Sequence, residues 1–212
     1  MKFAAFVTNL SKYTMGDLVG EWVTFPATPR KISAVLDRLG PGEIFITDYD
    51  ISIYGVSDKL SEYENLDELN YLAHVLDDLD GYDELVYESA LGICDYADDI
   101  QGLINLTFNL ENYCLLGDVH DEEDLGMYWI EESGCYGSDD LSDFAKRYFD
   151  YEAFGSDVAM EENGDFTDNG YIYETDTSWY EEYDGTHEDI PEEYLVMETI
   201  PEIDEEELEG LL

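Results

Sequence analysis

A chain of 212 residues can hold one large domain or two to three small ones, and its 44% hydrophobic and 14% aromatic content, with 18 Tyr, excludes a disordered acidic tail, which lacks the apolar surface for a core. The net charge of −46 is unevenly placed: residues 1–59 hold seven acids against six Lys and Arg, whereas residues 60–212 hold 47 acids against Lys146 and Arg147, a net of −45. With no Lys or Arg between residues 60 and 145 there is little to neutralise phosphates, which argues against direct nucleic-acid binding and for a strongly basic partner.

In chain order, residues 3–7 form a short apolar run expected to be a buried strand, and residues 19–25, mixing β-branched and aromatic side chains, a second. Thr28 then supplies an N-cap and Pro29 the first helical position, with Ile32, Val35, Leu36 and Leu39 at helical spacing and Gly40 as the stop. Residues 43–53 alternate as a third strand. The pattern predicts a small α+β domain over 1–61.

The next stretch is helical. Asn65 caps a helix whose Leu66, Leu69, Leu72, Ala73, Leu76 and Leu79 share one stripe, with Asp67, Tyr71, His74 and Asp78 expected on the outer face. Asp80-Gly81 breaks that helix, Asp83 is expected to cap a second, and Asp95 to Asp98 a third. An acidic helical domain over 62–108 follows.

From residue 109 the pattern mixes again. Tyr113 to Leu116 reads as a strand, Asp121-Glu122-Glu123-Asp124 opens a helix carrying Leu125, Tyr128 and Trp129, Asp139-Asp140 opens another, and residues 151–160 a third. Asp168-Asn169-Gly170 between alternating residues is a hairpin signal. This third α+β domain runs to 175. Residues 176–212, with fifteen acids and neither Lys nor Arg, lack periodicity and read as an acidic tail at most partly ordered.

Chemistry is hard to locate in so acidic a chain. Paired carboxylates such as Asp77-Asp78 and Glu131-Glu132 read as solvated faces, because acid–base work needs a carboxyl shifted by burial or by one particular neighbour. His74, His120 and His187 stand apart, His120 beside Asp121 reading as an ordinary polar residue at a helix start, and no G-x-S-x-G, P-loop or G-x-G-x-x-G is present. No catalytic residue or cofactor is assigned, and the chain is not read as an enzyme. Asp165, Thr167, Asn169 and Gly170 fit the start of a calcium loop, but Asp176 stands where a bidentate Glu belongs and Tyr171-Ile172-Tyr173 alternates like a strand, so no metal site is assigned. Cys94, Cys114 and Cys135 are odd in number and form no C-x-x-C, which argues against disulfides and zinc and fits a reducing cytoplasm. Residues 3–7 are too short an apolar run for a signal peptide, and no stretch approaches 18 apolar residues, so no membrane span is expected.

The segment from Leu116 to Ile130 is more informative. Asp121 can accept first-turn amides with Asp124 at N3, close to a capping box, yet four consecutive acids exceed what a cap needs and form a compact anionic knob. This segment, Asp121-Glu122-Glu123-Asp124-Leu125-Gly126 running to Tyr128 and Ile130, resembles the antirestriction motif of the ArdA antirestriction proteins of mobile genetic elements and phages. The start Phe3-Ala4-Ala5-Phe6-Val7-Thr8-Asn9-Leu10, Gly20-Glu21-Trp22-Val23, Ile46-Thr47-Asp48-Tyr49, Asp150-Tyr151-Glu152-Ala153-Phe154-Gly155 and the hairpin region are similar too, so the likeness covers about residues 1–175.

The resemblance implies a curved, elongated α+β protein of three small domains, a homodimer joined through its C-terminal domain. It implies mimicry of bent B-form DNA in the groove of a Type I restriction–modification enzyme, formed by its methyltransferase core and specificity subunit, which protects incoming mobile-element DNA. Duplex DNA carries one charge per roughly 1.7 Å, so −45 would match roughly 75 Å of duplex. Asp67, Asp77, Asp78, Asp80, Asp83, Glu84, Glu88, Asp95, Asp98 and Asp99 are the expected mimic surface, together with Asp118, Asp121, Glu122, Glu123 and Asp124. The alternatives are an acidic binding module for another basic DNA-binding protein and, further off, a calcium-binding protein.

Overall fold

A computed structural model describes residues 2–134 and 142–197. Among these the chain forms an α+β fold of eight α-helices and two three-stranded antiparallel sheets. In the first sheet, β1 (Phe3–Asn9) lies between β2 (Gly20–Thr24) and β3 (Ile44–Ile51), with Phe6 opposite Trp22 on one side and Asp48 on the other. Helix α1 (Leu10–Thr14) follows β1 directly. Helix α2 (Pro29–Leu39) is capped by Thr28 and buries Ile32, Val35 and Leu39. Asn9, fully buried, donates through Nδ2 to the carbonyls of Leu39, Gly40 and Pro41 at 3.2–3.3 Å, supplying partners for backbone oxygens that a helix end leaves unpaired.

Helices α3 (Leu66–Asp77), α4 (Gly81–Ala90) and α5 (Ile100–Leu106) follow. Two caps differ from the sequence expectation. The cap of α4 is Asp80, whose carboxylate accepts the Tyr82 and Asp83 amides at 2.8 and 3.0 Å; the Asp80-Gly81 break is itself the helix start. The cap of α5 is Asp99, accepting from the Gly102 amide at 2.8 Å, because Asp95 to Asp98 lie in the turn before it. The apolar stripe of α3 packs with Val86, Tyr87, Leu103 and Ile104, and the Tyr87 hydroxyl donates to the Leu103 carbonyl.

The second sheet has β6 (Gly170–Glu174) between β4 (Tyr113–Leu116) and β5 (Asp165–Thr167), and Thr167 pairs with Gly170 across the two-residue loop. The segment that resembled a calcium loop is therefore strand, loop and strand, without the helices such a loop requires. Helix α6 (Glu122–Met127) continues into a π-helical turn, Tyr128–Glu132. Helix α7 (Asp143–Lys146) is capped by Ser142; the helix start expected at Asp139-Asp140 lies outside the described residues. Helix α8 (Tyr151–Glu162) is capped by Asp150 and crosses α6.

One buried apolar cluster runs from the first sheet through α3–α5 to Leu115 and Ile172 of the second sheet. A smaller one gathers Val119, Leu125 and Tyr171 beneath α6 and α8. Residues 176–197 lie as an extended strap over α3 and α5 and bury Tyr183, Ile190 and Val196 in the larger cluster.

Candidate functional site

The acids of the helical region divide by what their carboxylates already do. Asp77, Asp78 and Asp95 are exposed on α3's end, its C-cap and the turn before α5, and Asp83 and Glu84 are half-exposed in the first turn of α4. Asp80 and Asp99 are exposed but each satisfies helix amides, and for Asp80 those backbone bonds hold its carboxyl below the usual range. Asp98 is exposed and pairs with Lys59 at 2.7 Å.

Two of the expected surface acids are engaged by the fold, Asp67 inside it and Glu88 half-exposed at its surface. Asp67 is 1% exposed: Oδ1 accepts the amides of Val196 and Met197 at 2.5 and 2.8 Å, and Oδ2 faces His187 Nε2 at 3.0 Å. It belongs to no surface, since the face of α3 that reads as outer is the seat of the strap; Tyr71, on the same face, is 3% exposed beneath Tyr183 and Tyr194. Glu88 accepts from the Tyr54 amide and from Asn169 Nδ2, at 3.3 and 3.4 Å, so its carboxylate ties α4 to the loop after β3 and to the β5–β6 turn.

The Asp118 to Ile130 segment is half knob and half core. Asp118, Asp121 and Glu123 are exposed, and Glu122 and Asp124 are half-buried. Asp121 caps α6 by accepting the Asp124 amide at 2.9 Å, and Asp124 Oδ2 accepts the His120 amide at 3.2 Å. This is a capping box reaching one residue further back than usual. Leu125 is fully buried and Ile130 nearly so, while Tyr128 packs against the smaller cluster edge-on to Trp129. Gly126 is where α6 meets α8: a Cβ there would come within 2.1 Å of the Tyr151 carbonyl oxygen, and one at Gly155 within 1.8 Å of the Glu122 carbonyl oxygen. The two helices touch backbone to backbone, which fixes the acidic first turn of α6 on the body of the protein.

The acids that are shifted upward point inward. Burial pushes Glu68 up, opposed by the Tyr183 hydroxyl that donates to it at 2.6 Å, and burial likewise pushes up Glu162, which accepts from Tyr171 at 3.0 Å. Both are carboxylates bonded to core tyrosines. Among the described residues, no group of three or more His, Cys, Asp or Glu is placed to hold a metal ion.

Sequence reasoning missed a row of buried asparagines, Asn105, Asn109 and Asn112, which with Asn70 of α3 receive the strap. The signal was their spacing, four and three residues apart on one face of α5 and the turn beyond it.

A comparison with individual curated proteins returns no match. A protein-family model described as antirestriction protein (ArdA) matches residues 5–173, from within β1 to within β6, which takes in α1 to α8 and the Asp121 to Ile130 segment. The chain belongs to the ArdA family of antirestriction proteins.

Proposed function

We propose that this antirestriction protein works as a decoy for duplex DNA in the groove of a Type I restriction–modification enzyme. The observation that carries the reading is a set of exposed and half-exposed carboxylates held at helix ends: Asp77 and Asp78 at the end of α3, Asp83 and Glu84 in the first turn of α4, Asp95 before α5, and the Asp118 to Asp124 knob leading into α6. Asp121 and Asp124, three residues apart at the start of α6, stand at the spacing that puts Cβ atoms about 5–6 Å from one another on a helix, near phosphate spacing. Lys and Arg that contact phosphates read no sequence, so an ordered anionic surface satisfies them as a duplex does. The target would be the methyltransferase core with its specificity subunit, and action would be by occupancy rather than by chemistry.

Three small domains in a homodimer joined through the C-terminal one complete the proposal. Phe144 and Tyr148, on and beside α7, are each more than 70% exposed with ring centroids 5.3 Å apart, and offer an aromatic pair for such a contact.

The test is cleavage of unmodified plasmid by a purified Type I endonuclease. Added protein should abolish cleavage at concentrations near those of the enzyme. Unchanged cleavage at large excess rejects the Type I reading and favours another basic DNA-binding protein as the partner.

A further inference from the structure

The strap is held by its backbone. Asn112 Nδ2 donates to the Ser178 carbonyl at 2.5 Å. Asn109 exchanges two bonds with Tyr180, donating to its carbonyl at 2.7 Å and accepting its amide at 2.8 Å. Asn105 donates to the Tyr183 carbonyl at 2.8 Å and accepts the amides of Glu182 and Tyr183 at 2.9 Å. Further along, Asn70 donates to the Tyr194 carbonyl at 2.8 Å while accepting the Ala27 amide at 2.7 Å, and Asp67 takes the amides of Val196 and Met197. These five receiving side chains are at most 7% exposed.

Aromatic contacts alternate with them. Trp179 stacks on Tyr96, the fully buried Tyr183 meets Tyr71 edge-on, and Tyr194 stacks on both Tyr71 and His74. The receiving face of α3 and α5 thus carries amides, a carboxylate and a tyrosine where a helix packed only on its apolar stripe would carry solvated residues. Such a face is built to be covered. Through Asn70 the cover also grips Ala27 ahead of α2, so α3, the first sheet's helix and the strap share one network.

We propose that residues 176–197, which lie beyond the family-matched part of the chain, are a latch. Docked, they hold α3 and α5 in the arrangement that presents the acidic helices; undocked, the protein loses its grip on its target with its charge unchanged. The inhibitory half of this statement rests on the proposed function above.

The experiment uses the full chain and two undocking variants: Asn105→Ala with Asn109→Ala, and Tyr194→Ala, which loosens the strap from its own side. Hydrogen exchange should show protected amides at Tyr180, Glu182 and Tyr183 in the parent. In both variants these amides, and those of α3 and α5, should lose at least tenfold protection, while β1 and β3 amides keep theirs and inhibition falls at least tenfold. A third variant, Glu188→Gln with Glu192→Gln and Glu193→Gln, removes strap charge and leaves every bond named above; it should stay protected and inhibit within threefold of the parent. The latch is overturned by unprotected strap amides in the parent, by undocked variants whose α3 and α5 stay protected or that inhibit fully, or by the charge variant losing inhibition while still docked. A parent chain that inhibits no restriction enzyme rejects the proposed function, and the exchange of α3 and α5 then decides the latch alone.

Discussion

Gly155 on α8 faces Gly126 on α6 so closely that a Cβ on Gly155 would lie 2.8 Å from the Gly126 amide nitrogen. Helix α6 cannot retreat without dragging Leu125 out of the smaller cluster, nor α8 without dragging Val158 and Ala159, which pack against it. Gly126→Ala should therefore destabilise the protein by about 1–3 kcal/mol or more, the usual range for overpacking. Thermal unfolding followed by near-ultraviolet dichroism checks this, and an unchanged midpoint would show that α6 and α8 do not meet as described.

Asp121 permits capping and charge to be separated. Asp121→Asn keeps an oxygen for the Asp124 amide and removes one negative charge, whereas Asp121→Ala removes both. The first should leave the melting temperature nearly unchanged, and the second should cost about 1 kcal/mol, the usual effect of losing an N-cap. If the knob acts by charge summed with many others, inhibition should fall less than threefold in the Asn variant. A complete loss would point to one essential carboxylate.

The fold was legible where local signals agree. Thr28-Pro29 started α2, Asp168-Asn169-Gly170 turned the hairpin, and the leucine stripe of α3 faced the core. Helix starts inside acidic runs were not, because several aspartates compete for each cap and only the backbone path selects Asp80 over Asp83 and Asp99 over Asp95. The candidate site was legible as charge but not as surface. Asp67 has the sequence signature of an outer-face acid, and only the return of the chain 129 residues later, at Val196, buries it. No periodicity announces an extended segment whose contacts are backbone to side chain.

Acid should stabilise the protein before it unfolds it. Burial raises the folded-state values of Glu68 and Glu162, so these groups take up protons more readily folded than unfolded. Stability is gained as pH falls through their raised values and is complete below the ordinary carboxyl range of about 4. Asp80, Asp176 and Asp184 are lowered by bonds to their carboxylates, chiefly backbone amides for Asp80 and Asp176 and the Thr186 hydroxyl for Asp184, so their contribution is present above that range and lost below it. Calorimetry at constant ionic strength should find the melting temperature rising as pH falls from neutrality toward the ordinary carboxyl range and falling below about 4. Glu68→Gln, which keeps an acceptor for the Tyr183 hydroxyl, should reduce the rise; a melting temperature that declines throughout that interval contradicts the assignment.

Asp67 and its strap partners predict an asymmetry between two substitutions. Asp67→Asn retains an oxygen for the Val196 and Met197 amides and should be tolerated, while Asp67→Ala leaves them without an acceptor, at about 1–3 kcal/mol for each donor that stays buried. Urea unfolding of the two variants checks the difference, and equal midpoints would mean that the strap does not depend on this carboxylate.

On the proposed function, the protein and duplex DNA compete for one groove. Fluorescence anisotropy of a labelled duplex bound to a Type I methyltransferase, titrated with the protein, tests it most directly. Shared occupancy of one groove gives complete displacement, with the half-point rising in proportion to the duplex concentration and both complexes weakening steeply with salt. A duplex that stays bound at saturating protein, or a stable complex holding all three components, would contradict it.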